Sequence, residues 1–538
     1  MQKVFSYLLL LIISMSSPAA LFASSLQVPL PPAFKEPGSC KNQIPIASKD
    51  VNKAGGFVIQ APGCYMLKGN IIFDPSVSQS TSAITIQSSN VTLNLGGHKL
   101  SQLMPQSGGP ISGVTANSIS SISIMNGSIG DFTGAAIGIQ NSNNIVVANL
   151  TILNTGLPMA NGGLQINDSA NILVSQVNAI SNFGSGMYLH GVTNATVSNS
   201  HFDNNLPGNV APQFFTTGQV GAGAYIDSSP STETDTVLVR DSTFNGNSGD
   251  SDGGGMEIGI YSLLPVKNVT VVRSTFLNNF NNGIQGLFND ASGLVLLFVT
   301  NFLIQDVVAS GQRHPGPPGP LLAVAGATGF SINACNNGLI VNGSADNNVG
   351  AGYSSLGMRL RGCNNVLVKN SHASGNINTS FGQAFGFSTD NDNYIAFPPV
   401  GTSVVFDACV AQNNNSTSGL AGGFKITNVA NSTLQYSVSQ NNPIGIYVSD
   451  ANAPTLSFNN VFNGNLVSKN TLYGIQDTVG GSNNAYSDNI AILNGTSPAL
   501  DNYVGLPAGT PIITWSFTTG FSPTPPNFDP LANLSIVP

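Results

Sequence analysis

Apolar and polar residues alternate along this chain in short runs, and the runs recur. Residues 162–190 hold one whole period and the start of the next: GLQIN, NILVSQV, NAISN and then GMYLH. In GLQIN and GMYLH every second residue is apolar, which is the period of a half-buried β-strand. Gly163 and Gly186 mark equivalent points, 186 − 163 = 23 residues apart. The same anchor (small residue, apolar, polar, apolar) returns as AAIGI at 135, AGAYI at 222, GGMEI at 254, LGMRL at 356, GGFKI at 422 and IGIYV at 444. Two further signals keep pace with it. An Asn-rich turn leads into a strand, as in NNIVVANLTI at 143 and NNVLVKNS at 364, and an Asn-terminated corner reads FDNN at 202, FNGN at 244, FLNN at 276 and FNGN at 462.

A repeating unit of three short strands cannot bury its apolar face alone, so the units must stack. Stacking predicts a single all-β solenoid of parallel coils, roughly 14 of them, with strands about 4.8 Å apart. Asn at equivalent turns predicts ladders of side-chain amides. Regular alternation starts at Ala83, with Ile84/Ile86 and Val91/Leu93/Leu95, so residues 26–82 read as a lead-in and cap and 83–504 as the solenoid. The Pro-rich stretch 505–538, which holds the sole Trp515, reads as a C-terminal cap or tail, because an open solenoid end needs cover.

Residues 1–23 read as a signal peptide: Lys3, an apolar core from Leu8 to Ile13, then small residues to Ala23. A secreted or cell-surface protein is therefore expected. No later run approaches the ~18 apolar residues of a membrane-spanning helix. Charged residues make up only 7% of the chain, against roughly 25% in ordinary domains. With 16 Lys+Arg and a net charge of −8, nucleic acid is excluded as a partner, since it needs clustered cations. Cys40 and Cys64 are the candidate disulfide, closing a loop of 64 − 40 = 24 residues. Cys335, Cys363 and Cys409 lie in strand-like repeats and are expected as stacked buried thiols.

The strand SNVTLNLGGHKLS at 89–101 and the Asn–apolar–Gly–apolar periods over 55–505 carry a resemblance. The chain resembles the right-handed parallel β-helix, pectate-lyase-like superfamily. That resemblance implies a right-handed coil with loops walling a groove on one side. It covers polysaccharide lyases, glycoside hydrolases, esterases, phage tailspikes and non-catalytic surface proteins. Polygalacturonase motifs are missing: Gly97-His98-Lys99 and Phe424-Lys425-Ile426 stand isolated, and no Asp-Asp pair occurs.

Alternation also picks out the candidate chemistry. Where Leu164, Ile166, Met187 and Leu189 point inward, Gln165, Asn167, Tyr188 and His190 point outward. The same rule turns Tyr225, Asp227, Glu257, Gln285, Arg359, Arg361, Lys425 and Tyr447 outward along one stripe. Tyr188, Tyr225, Gln285, Arg359 and Arg361 are the candidate substrate-binding residues, and Asp227, Glu257 and His190 the candidate catalytic ones. A diagonal carboxylate pair about 7 Å apart suits an inverting hydrolase, with Glu257 as acid and Asp227 as base. The resemblance implies a lyase alternative using Arg as base; as uronate binders Arg359 and Arg361 fit better. Charged residues on any polar solenoid face are the plain structural reading of all of these. No metal site is expected from Cys or His spacing. The turns holding Asp250/Asp252 and Asp390/Asp392 are the candidate calcium ligands, set against ordinary turn chemistry. The expected function is binding, with hydrolase or lyase cleavage, of an extracellular polysaccharide or surface glycan. The alternative is a non-catalytic surface or adhesion scaffold.

Overall fold

A computed structural model describes residues 28–31, 42–103, 109–156, 162–206, 223–249, 254–259, 264–281, 290–315, 326–390, 402–450, 457–479, 483–497, 501–507, 510, 512–516 and 533–537. The expected signal peptide lies outside them.

The chain coils so that each strand lies parallel to its counterpart one turn later. The anchor strands form a 16-stranded sheet that starts at Phe57–Ile59 and ends at Tyr503–Val504. Register is in phase throughout: Leu164 pairs with Met187, Ile166 with Leu189, and His190 with Asp227. A second, 19-stranded sheet carries the Asn-led strands, and a seven-stranded sheet closes the third side in the C-terminal half. Three 11-residue strands, Ser120–Gly130, Asn143–Leu153 and Ala170–Ile180, run around a corner without breaking. Each bends at residues in the left-handed region, such as Asn126, Asn149 and Gln176, a conformation Asn tolerates better than most.

Two boundaries differ from the sequence reading. Coiling begins inside the expected lead-in, because Phe57–Ile59 already pairs with Ser82–Ile86. That adds rungs to the roughly 14 expected. The C-terminal stretch is more than a tail, because Ile512–Ser516 and Asn533–Val537 pair in parallel and extend the third sheet from Ile490–Ile492.

Leu164, Ile166, Met187 and Leu189 are all fully buried, as their alternation requires. The Phe of the FxxN corner stacks coil on coil: Phe202, Phe244 and Phe276 have ring centroids 5.3 and 5.0 Å apart. The Asn of that corner forms a buried ladder. From Asn182 through Asn205 and Asn247 to Asn279, each backbone N–H and each Nδ2 reaches the next side-chain oxygen, apart from Asn279 Nδ2. Gln312 takes one rung, and the ladder continues through Asn348, Asn376, Asn414, Asn442, Asn470 and Asn494 to Asn502. Every rung satisfies corner N–H groups that burial would otherwise leave costly.

Cys64 is disulfide-bonded, and its expected partner Cys40 lies outside the described residues. Cys335, Cys363 and Cys409 are free and buried. They do not form one stack. Cys335 and Cys363 follow the paired Asn333 and Arg361 by two residues, whereas Cys409 sits at another corner, where its backbone N–H donates to Ser437 Oγ.

Candidate functional site

The outer face of the 16-stranded sheet carries the expected stripe, and its rows follow from register. One row runs Gln165, Tyr188, Tyr225, Glu257, Val295, Ser331, Arg359, Ser388, Lys425 and Tyr447. A second row, two residues on, runs Asn167, His190 and Asp227. Asp227 and Glu257 are therefore diagonal neighbours, and His190 is the direct partner of Asp227. Gln285 lies outside the described residues.

The face is not open along its length. Gln165, Asn167, Tyr188 and His190 are half-buried, but Tyr225, Asp227, Glu257 and Arg359 are buried. Asp227 is 5% exposed and Glu257 0%. The stripe thus has an accessible shoulder leading to a covered floor. On that floor Tyr225 Oη donates to Asp227 Oδ2 at 3.0 Å, and Ser228 N donates to Asp227 Oδ1 at 2.8 Å. Tyr188 lies nearly parallel to both Tyr225 and His190, with centroids 5.3 and 5.5 Å away. Burial and the Asp227 and Asp168 carboxylates push the Tyr188 hydroxyl up to about 12. Burial, with Asp227 and Glu257 beside it, pushes Tyr225 further in the same direction. Both hydroxyls stay protonated and act as donors at neutral pH.

Burial lowers the pKa of His190 against the opposing pull of Asp168, so its ring is neutral. Its Nδ1 is buried without a hydrogen-bond partner, as are Asn167 Oδ1, its neighbour in register, and Asp168 Oδ1. Three buried polar atoms with unmet hydrogen-bonding capacity thus belong to half-buried residues of the shoulder. Gly191 belongs to this corner: its φ is +62°, and a Cβ there would stand 2.6 Å from Asp168 Oδ1.

The arginines belong to a separate centre. Arg359 lies three strand spacings beyond Glu257, about 14 Å, so one site cannot use both. Arg359 Nε and Arg361 Nε flank Asp390, at 3.4 Å from Oδ2 and 3.3 Å from Oδ1. The carboxylate they hold is the protein's own. Asp390 ends a strand, Gln383–Asp390, rather than occupying a turn, and its side chain is 3% exposed. It serves the arginines, which corrects its reading as a calcium ligand. Asp250, Asp252 and Asp392 lie outside the described residues. Among the described residues no group of three His, Cys, Asp or Glu is placed to hold a metal.

Sequence reasoning missed a feature on the second sheet. At the bend of the three long strands lies an open groove of about 500 Å³, lined by Asn126, Ser128, Asn149, Thr151, Gln176 and Asn178 among others. Its polar rim follows from the left-handed Asn and Gln residues that make the bend, a signal present in the sequence as repeated Asn at one position.

Residues 55–258 match the family model described as the right handed beta helix region. The chain folds as a right-handed parallel β-helix. Solved structures similar to this β-helix include the periplasmic alginate epimerase AlgG, 11% identical over 84% of this chain and 83% of that one, with a TM-score of 0.38. The surface adhesin PfbA of Streptococcus pneumoniae is 12% identical, covering 84% of this chain and 100% of its own, with a TM-score of 0.33. The A-module of the Azotobacter vinelandii mannuronan C-5 epimerase AlgE4 is 12% identical over 86% of this chain and 96% of that module, with a TM-score of 0.30. No curated protein matches the chain. Among the described residues no helix is long and apolar enough to cross a membrane.

Proposed function

We propose that this β-helix is an exported protein that binds an extracellular polysaccharide on the shoulder of its 16-stranded sheet. The observation that carries the reading is the cluster of Asn167 Oδ1, Asp168 Oδ1 and His190 Nδ1, three buried polar atoms without partners beside the half-buried Tyr188. Two of the three are acceptors, and a polyhydroxylated ligand supplies many O–H donors. The N-terminal signal pattern supports export. The chemistry of the ligand is that of a sugar chain, with Gln165 and Tyr188 extending the contact along successive coils.

Two finer readings of the same face compete. The register of His190 with Asp227, and the neutral ring of His190, favour acid–base cleavage, with the half-buried His190 the proton acceptor and Asp227 and Glu257 behind it. The complete burial of Glu257 favours a non-catalytic binding or adhesion scaffold. A polysaccharide panel tests binding and cleavage together, scored for retention, new reducing ends and unsaturated products. Retention that weakens at least tenfold in His190→Ala and Tyr188→Ala supports the shoulder. Retention unchanged in both, or none on a broad panel, overturns it.

A further inference from the structure

The third face of the solenoid carries an arrangement unconnected with the shoulder. His372 and Ser374 lie two apart on one strand, with side chains on the same outer face, and Ser374 Oγ is 2.7 Å from His372 Nε2. On the other side of the ring, His372 Nδ1 is 2.9 Å from Asp346 Oδ1, one coil earlier. Asp346 is itself fixed: Ser374 N donates to Oδ1 at 2.7 Å, and Ser344 Oγ donates to Oδ2 at 2.5 Å. A hydroxyl, an imidazole and a carboxylate thus line up as nucleophile, base and orienting group. The carboxylate fixes the tautomer, with the proton on Nδ1 and the lone pair of Nε2 facing the serine.

We propose that Ser374 is a nucleophile for acyl transfer, activated by His372 and oriented by Asp346, and that its substrate is a small-acyl ester carried on an extended polymer. Ser374 Oγ attacks the ester carbonyl carbon while its proton passes to His372 Nε2. The bond to the alkoxy group then breaks, and His372 returns the proton to the departing alcohol. Water attacks the acyl-serine, giving a proton to His372, the carbon–Oγ bond breaks, and that proton restores the Ser374 hydroxyl. The net reaction is ester plus water to acid plus alcohol.

The Ser374 N–H is committed to Asp346, so it cannot stabilise the oxyanion. Gln412 pairs with Ser374 on the next coil, and its Nε2 gives one hydrogen to Gln440 at 3.3 Å, leaving the second for a carbonyl oxygen. The site is an open strand surface rather than a cavity, with 44% of the His372 side chain exposed. That openness suits an ester on a long chain. A continuous row joins it to the polar groove: Ser128, Thr151, Asn178, His201, Thr243, Thr275, Val308, Ser344 and His372 are successive partners.

The same row holds an internal contrast. At His201, the hydroxyl of Thr243 lies 2.8 Å from Nδ1 but donates to Asp203, at 2.9 Å from Oδ2. There the carboxylate takes the hydroxyl proton and the imidazole does not, so Thr243 is not activated.

The test uses the full-length protein and a phosphorofluoridate, diisopropyl fluorophosphate, with peptide mass mapping of the adduct. Hydrolysis of 4-methylumbelliferyl acetate is followed in parallel. The expected result is one adduct, on Ser374 and not Thr243, reduced at least 100-fold in His372→Gln, with acetate hydrolysis lost in Ser374→Ala. Gln412→Met lowers hydrolysis about tenfold while leaving the fold, read by circular dichroism, unchanged. No adduct on Ser374, or labelling that His372→Gln leaves intact, overturns the proposal. Failure here leaves polysaccharide retention on the 16-stranded sheet untouched, and loss of retention leaves the adduct untouched.

Discussion

Gly186 lies directly against Asn205: a Cβ on Gly186 would stand 2.6 Å from Asn205 Nδ2. The pairing recurs at Gly223 with Asn247, Gly445 with Asn470 and Gly474 with Asn494. Two sequence signals, the anchor glycine and the corner asparagine, are therefore two sides of one contact. Gly186→Ala is expected to destabilise by about 1–3 kcal/mol, as overpacking does. Gly138 meets only Thr115 Cγ2, at 3.9 Å, so Gly138→Ala should change stability by less than about 0.5 kcal/mol. Thermal unfolding of the two variants side by side checks the contrast.

Asn414 tests the ladder itself. Asn414→Ala removes the oxygen that accepts from Asn376 N and Nδ2, and the donor to Ala373 O. Each stranded group costs about 1–3 kcal/mol. Chemical denaturation should show a clear loss, and hydrogen exchange should rise at Asn376 and its neighbours first. Unchanged exchange at Asn376 would show the rung to be dispensable.

Asp390 holds two arginine side chains that are 6% and 15% exposed. Asp390→Asn removes the carboxylate charge between two largely covered guanidiniums, a loss of about 3–5 kcal/mol. Replacing Arg361 with Met in the same variant should recover part of it. A double variant no more stable than Asp390→Asn would contradict the pairing.

His372 and Asp346 set a pH window. The hydrogen bond to Asp346 raises the pKa of His372 against the effect of burial, so this contribution is complete below the unfolded value near 6.5 and fades as pH rises through the folded one. Burial tends to raise the pKa of Asp346, but hydrogen bonds from His372 and Ser344 outweigh it and hold it low. Its contribution is present above about 4 and is lost as pH falls through the depressed value. The pair therefore stabilises most between about pH 4 and 6.5. The difference in melting temperature between the protein and His372→Gln should be largest there and shrink by pH 8, which isolates this histidine from His190, whose lowered pKa acts in the opposite sense.

Much of the architecture could be read from the chain. Period-2 alternation placed Leu164, Ile166, Met187 and Leu189 inside, because one coil's register repeats in the next. The same regularity put His190 beside Asp227 and made Glu257 the diagonal neighbour of Asp227. What alternation could not supply was depth. Outward in a strand means only away from the core, and Tyr225, Asp227 and Glu257 point outward yet are buried. Nor could it supply partners brought in by coiling: Asp390 meets Arg361 across 29 residues and Asp346 meets His372 across 26, without a local motif to announce either. Cys409 was misplaced for a related reason, since Cys335 and Cys363 follow one corner of the triangle and Cys409 follows another.

The asparagine ladder has a direction. At almost every rung the N–H groups reach forward to the oxygen of the following coil, from Thr155 into Asn182 and on to Asn502. The amide dipoles therefore add head to tail along the solenoid axis, and hydrogen bonds in such a chain polarise one another. A cut through the rod produces two unlike ends, one of bare acceptors and one of bare donors. Each can be matched only by the complementary end of another coil, so the ladder imposes a polarity on how the rod is built, capped or extended.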